Sequence, residues 1–207
     1  MFFKHYITGP IQVNTYLLAD EETKDAIVID LGGDWGKIKK DADGFGFKIN
    51  YVLLTHGHFD HILGIPEMQK TENIPVLMNK KDLFLTEHLS EMLSHFRIIS
   101  DVSSVRIDKF IDETTPLKIG NYSITTLSTP GHTPGGQSYY VDGKLFSGDS
   151  LFRHSIGRTD LEGGNHSELI NSVKTKLFSL PPETAVYPGH EDFTTIGDEI
   201  KNNIFVR

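Results

Sequence analysis

The sequence contains no cysteine. That removes disulfide scaffolds, thiolate zinc sites, iron–sulfur clusters and cysteine nucleophiles together. Basic residues are scarce as well: 20 Lys+Arg stand against 28 Asp+Glu, a formal charge of -8. A surface that grips phosphate backbones needs clustered Lys and Arg, so nucleic acid is not an expected partner. No apolar run reaches the ~18 residues of a membrane span. Met1–Tyr6 also lacks the basic start and long apolar core of a signal peptide. A soluble, cytoplasmic protein without a membrane partner is the expectation. Linkers, internal repeats and low-complexity runs are missing too, so residues 1–207 read as a single domain. A chain of this size buries enough surface to fold without a structural metal, and any metal would therefore serve chemistry.

What is present alternates short apolar runs with turn signals. Strands are predicted over Gln12–Ala19, Ala26–Asp30, Tyr51–Thr55, Pro75–Met78 and Ala185–Tyr187. Hairpins are predicted around Gly120-Asn121 and Asp142-Gly143. Helices are predicted over Asp34–Asp43, capped by Asp34, over Ile62–Thr71, His166–Phe178 and Ile196–Asn203, and over Lys80–Phe96 with a clear apolar stripe. The mixture predicts a layered α+β domain.

Four loops hold the unusual residues: Thr55–His61, Pro130–Thr133, Ser147–Ser150 and Tyr187–Glu191. Each follows an apolar, strand-like run, so each group would sit just past the C-terminal end of a strand. Loops on a rigid scaffold are the usual home of ligands and catalytic groups. Any one of these loops alone is ordinary, since a lone His-x-His or Gly-His occurs by chance. Together they carry His56, His58, His61, His132 and His190, half of the 10 histidines, with Asp60 and Asp149. Imidazole and carboxylate suit zinc, iron or manganese. Seven ligands are too many for one tetrahedral ion with an open position. Two ions ~3.5–4 Å apart, sharing one carboxylate, would use them all.

Thr55-His56-Gly57-His58-Phe59-Asp60-His61 resembles the His-x-His-x-Asp-His signature of the metallo-β-lactamase superfamily. His132, Asp149 and His190 fall at its remaining ligand positions in the same order, and the resemblance extends through Asn14–Leu17 and Ile29–Gly33. It implies a four-layer αβ/βα sandwich with a dinuclear site at one edge of the sheets. It further implies one subsite of His56, His58 and His132, a second of Asp60, His61 and His190, and Asp149 bridging them. Zinc is the first expectation for the two divalent ions, with iron or manganese suited to the same ligands. An aspartate at the bridging position is similar to the hydrolase and oxygenase branches.

Within the superfamily the chain resembles the small glyoxalase II-like hydrolases, through Gly131–Gly136, Ser147–Phe152, Ile156–Leu161 and Thr194–Gly197 with Glu199. The implied substrate is a small-molecule thioester such as S-lactoylglutathione. Asp60 would bind metal and orient the attacking hydroxide, and Arg158 would meet a substrate carboxylate. The glutathione-binding C-terminal helical domain of full-length glyoxalase II is not expected, and the chain would act as a monomer or homodimer. Gly157–Asp160 also resembles the persulfide dioxygenases. Those hold one iron with two histidines and an aspartate, here His58 or His56 with His132 and Asp149, and act on glutathione persulfide. They commonly carry Pro-Ala-His where this chain has Pro188-Gly189-His190, and the hydrolase reading is preferred on that detail and on the Thr194-Thr195-Ile196-Gly197 tail.

Overall fold

The structure, a computed structural model, describes residues 1–98 and 104–207. Its first sheet runs in sequence order: β1 (Phe2–Thr8), β2 (Val13–Ala19), β3 (Asp25–Ile29), β4 (Lys48–Leu53), β5 (Val76–Met78) and β6 (Lys109–Phe110). The first three strands are antiparallel, and from β3 onward the pairings are parallel. Next come β7 (Leu117–Ile119), β8 (Tyr122–Ser128), β9 (Gln137–Val141) and β10 (Lys144–Gly148), then a small ribbon of β11 (Leu151–Phe152) and β12 (Ser155–Ile156). With β13 (Ala185–Pro188) and β14 (Thr194–Thr195), the second sheet has the order β14-β13-β10-β9-β8-β7. The helices are α1 (Trp35–Gly44), α2 (Ile65–Thr71), α3 (Leu83–Glu87), α4 (Leu89–His95), α5 (His166–Ser172) and α6 (Ile196–Asn202).

Side-chain alternation along the strands separates three apolar interfaces, and three interfaces make four layers. Leu17, Ala26, Val28 and Val52 face Ile38, Met68 and Leu89 of the helices on one side. Their neighbours Leu18, Ile27, Ile29 and Leu53 meet Tyr139, Val141 and Phe146 of the second sheet. Leu145 and Val186 face Leu169, Val173 and Ile196 on the far side. A period of two splits each strand between two layers, which is why short apolar runs suffice here. The αβ/βα sandwich expected from the resemblance is the observed fold.

Several local expectations are corrected. β1 was not anticipated; its residues Phe2–Lys4 are half-buried, which blunts the alternation that marks a strand. The Lys80–Phe96 helix is broken into a 3-10 turn over Lys80–Asp82, then α3 and α4, with His88 leaving helical geometry at φ -93, ψ 18. Asp34 precedes α1 but adopts φ 55 and its side chain caps nothing. The predicted Ile62–Thr71 helix starts at Ile65, and Pro66 falls in its first turn, where a missing N–H costs little. Among the described residues, no helix is long and apolar enough to cross a membrane.

Candidate metal centre

Strand direction assembles the site. β3 and β4 are parallel, and their C-terminal ends deliver Asp30 and the Thr55–His61 loop to one edge. In the second sheet β8 and β10 are both antiparallel to β9, hence parallel to each other, and β10 is parallel to β13. Their C-terminal ends deliver the loops of His132, Asp149 and His190. The Gln137 N–H donates to the Thr55 carbonyl at 2.8 Å and stitches the two sheets together beside the site.

All seven expected ligands converge. Three groups have donor atoms within 4.8 Å of one another: His56, His58 and His132; His56, His61 and Asp149; Asp60, His61 and His190. His58 Nδ1 lies 2.9 Å from His132 Nε2. His190 Nε2 lies 3.0 Å from Asp60 Oδ2. Asp149 divides its two oxygens: Oδ1 is 3.4 Å from His61 Nε2, and Oδ2 is 3.6 Å from His132 Nε2. Oδ2 is also 3.8 Å from His190 Nε2, so the carboxylate lies within 4 Å of histidines from both sets.

The hydrogen bonds behind the rings decide which nitrogens face inward. His61 Nδ1 donates to Asp30 Oδ2 at 2.8 Å, leaving Nε2 toward the centre. His132 Nδ1 donates to the Arg158 carbonyl at 2.6 Å, leaving its Nε2 likewise. Thr55 Oγ1 donates to Asp30 Oδ2 at 2.8 Å and so can accept from His56 Nδ1 at 3.1 Å. One carboxylate, Asp30, thereby orients His61 directly and His56 through Thr55. Such outer partners fix tautomer and ring direction.

The residues fit a metal on an observation of their own. His56 Nε2, His61 Nε2 and Asp149 Oδ1 are buried with no hydrogen-bond partner. Buried polar atoms are rarely left so, and three converging on one point call for a shared partner. The charges agree. Burial drives His56 well below its ordinary value, with neighbouring histidines adding to it, and pushes His58 down to about 3. Both are neutral at pH 7, the form in which imidazole binds a metal. Burial opposes a charge on His61, but Asp60, Asp30 and Asp149 outweigh it and hold His61 well above the usual range. Burial likewise opposes ionisation of Asp60, yet His61 and a hydrogen bond from His190 keep it ionised. These donors are nitrogen and oxygen only, a set that suits zinc, iron or manganese.

A cavity of about 290 Å³ opens over the cluster, lined by Ile11, Phe59, Phe152 and Leu161 as well as by Arg158 and Glu191. The Arg158 guanidinium is engaged: Nε and Nη2 each donate to Asp160 at 2.8 Å. Arg153 pairs with Asp192 at 3.4 Å. His154 pairs with Asp198 at 2.7 Å and clusters with Asp198 and Glu199, apart from the seven expected ligands. Asp30 falls at the end of the predicted strand Ala26–Asp30 and is not among the expected site residues. Its place directly after an apolar run, like the four ligand loops, was the signal for it.

The profile of the metallo-beta-lactamase superfamily matches residues 8–190. The chain belongs to the metallo-beta-lactamase superfamily. Among its relatives in that superfamily, a probable metallo-hydrolase of Bacillus subtilis, YqgX, is 37% identical over 100% of this chain and 98% of its own length. The hydroxyacylglutathione hydrolase GloC of Haemophilus influenzae is 34% identical over 94% of this chain and 93% of its own. Of solved metallo-beta-lactamase folds, BLEG-1, a B3 metallo-beta-lactamase, has a TM-score of 0.87 at 37% identity and covers 99% of both chains. TTHA1623 in a di-iron-bound form has a TM-score of 0.87 at 33% identity, covering 98% of this chain and 99% of that one.

Proposed function

We propose that this protein is a metal-dependent hydrolase of small thioesters, of which S-lactoylglutathione is the first to test. The observation that carries the reading is the Asp149 carboxylate, placed between His132 on one side and His61 and His190 on the other, all within 4 Å. His56, His58 and His132 would hold one divalent ion, Asp60, His61 and His190 the second, and Asp149 both. Zinc is the first candidate, and the di-iron form of TTHA1623 keeps iron in view. When bound, such ions supply Lewis acidity, polarising an acyl carbonyl and lowering the pKa of water from 15.7 toward ~7.

The chain's own groups do the rest. Asp60, ionised and only 5% exposed, lines the cavity where it can accept a hydrogen bond from the attacking water and aim it at the carbonyl carbon. Ile11, Phe59, Phe152 and Leu161 exclude bulk water from that carbon. Hydrolysis adds water across the C–S bond, giving a carboxylic acid and a thiol. Free thiols ionise near pH ~8.5, so the departing sulfur needs little protonation and no separate general acid. Arg158 would meet a carboxylate of the thiol carrier by exchanging it for Asp160.

The test pairs elemental analysis with an assay under nitrogen. About two metals per chain, and oxygen-independent release of free thiol from S-lactoylglutathione, support the reading. About one iron per chain, with oxygen uptake on glutathione persulfide, overturns it in favour of a mononuclear iron dioxygenase. Turnover of β-lactams with no thioester cleaved overturns the substrate class alone.

A further inference from the structure

Asp82 is buried completely, at 0% exposure, and no ligand loop contains it. It ends the 3-10 turn that interrupts the expected helix. Its Oδ2 accepts from the Gly57 N–H at 3.1 Å and from the Thr133 hydroxyl at 2.8 Å, and its Oδ1 accepts from the Gly135 N–H at 2.6 Å. Gly57 separates His56 from His58, and Thr133 follows His132. A single carboxylate therefore joins the two loops, 51 residues apart from Asp82 on one side and 25 on the other. The backbone is shaped around it: a Cβ at Gly57 would lie 2.8 Å from Asp82 O, and one at Gly135 would lie 2.6 Å from Asp82 Cγ.

All three partners are donors, so the ionised carboxylate is the form that fits. Burial raises this carboxyl above its usual value, and the three hydrogen bonds oppose that. Among the described residues no Lys, Arg or His forms an ion pair with it. A buried charge without a cation is costly. Three donors shared between both oxygens call for the ionised form, and positive charge held nearby offsets the cost of burying it.

We propose that Asp82 is a positioning residue for the metal subsite of His56, His58 and His132, setting the spacing of the two ligand loops and contributing negative charge toward the ion they hold. This rests on the reading of those three histidines as one subsite. None of Asp82's three hydrogen-bond partners lies beside His61, Asp60 or His190, and His61 is held by Asp30 instead, so the two subsites respond differently to the loss of Asp82.

Zinc titration of the full-length protein against a chromophoric chelator tests this, on wild type, Asp82→Ala, Asp82→Asn and Thr133→Val, with circular dichroism to confirm folding. Wild type should take up about two zinc ions. Asp82→Ala should weaken one binding step by about 10–100-fold and leave the other within about threefold. Asp82→Asn and Thr133→Val, which disturb fewer bonds, should weaken the same step by about 3–10-fold, while Thr133→Ser retains the hydroxyl and the wild-type affinity. Should Asp82→Ala fail to fold, the latter three decide. Unchanged zinc steps in the folded variants overturn the proposal and leave the site reading intact, as does equal weakening of both steps. Wild-type protein that takes up no zinc, iron or manganese overturns the site reading itself.

Discussion

Replacing Asp30 separates two effects that share one side chain. Asp30 Oδ1 accepts the Thr55 N–H at 2.8 Å, and Oδ2 accepts both the Thr55 hydroxyl and His61 Nδ1 at 2.8 Å. Asp30→Ala leaves these three buried donors without an acceptor. Each such loss costs about 1–3 kcal/mol, and breaking a buried charged pair about 3–5 kcal/mol in total. At roughly 2–4 °C per kcal/mol for a chain of this length, the melting temperature of the metal-free protein should fall by about 6–20 °C. Asp30→Asn keeps one acceptor oxygen and nearly the same shape, so its stability loss should be smaller, about 1–3 kcal/mol. Its amide nitrogen then faces one of two donors. If it faces Oδ2's partners, His61 Nδ1 must accept and the ring proton moves to Nε2, the atom aimed at the centre. If it faces the Thr55 N–H, the loop that positions His56 is pushed away. Either placement harms metal binding more than it harms the fold. Thermal melts of metal-free protein, set beside zinc titrations, measure the two effects separately. An Asp30→Asn protein with wild-type melting temperature and both zinc steps unchanged would refute the reasoning.

Two further outcomes follow from the same geometry. In metal-free protein at pH 7 His61 carries a proton, because three carboxylates overcome the effect of burial, and His190 is shifted the same way, burial being outweighed by its bond to Asp60 and by Asp149. Zinc needs the unprotonated Nε2 atoms, so its entry should release protons, and its apparent affinity should fall as pH falls. Calorimetry in two buffers of different ionisation enthalpy reads this directly; a binding enthalpy independent of buffer would contradict it. Arg158 meets His132 through its main-chain carbonyl, and its guanidinium is spent on Asp160. Arg158→Ala should therefore keep both zinc steps at wild-type affinity while raising KM for an anionic thioester by about 3–10-fold. Loss of a zinc ion in that variant would show that the side chain, not the carbonyl, supports His132.

The candidate ligands were legible in the sequence for a physical reason. Only a few side chains bind these cations, and a sheet edge collects whatever follows its strands. His56, His132, Asp149 and His190 each stand just beyond an apolar run, and the fold brings those runs to one edge. The layers were legible for a related reason, since residues 26–29 are apolar without a break and serve two interfaces at once. Asp82 and Asp30 are a different case. Their side-chain types are those of any turn or helix start, and Asp82 looks like an acidic first-turn residue of the helix that the apolar stripe predicts. Its role exists only because Gly57, Thr133 and Gly135 arrive around it from 25 to 53 residues away. The same contacts explain why the helix expected from Lys80 is interrupted: Asp82 must turn inward to meet three donors, while Leu85 and Leu89 must still reach buried positions. A periodic stripe records the second demand and carries no trace of the first. Candidate ligands are thus recognisable by their chemistry, whereas residues that would hold them in place are recognisable only by what folding puts next to them.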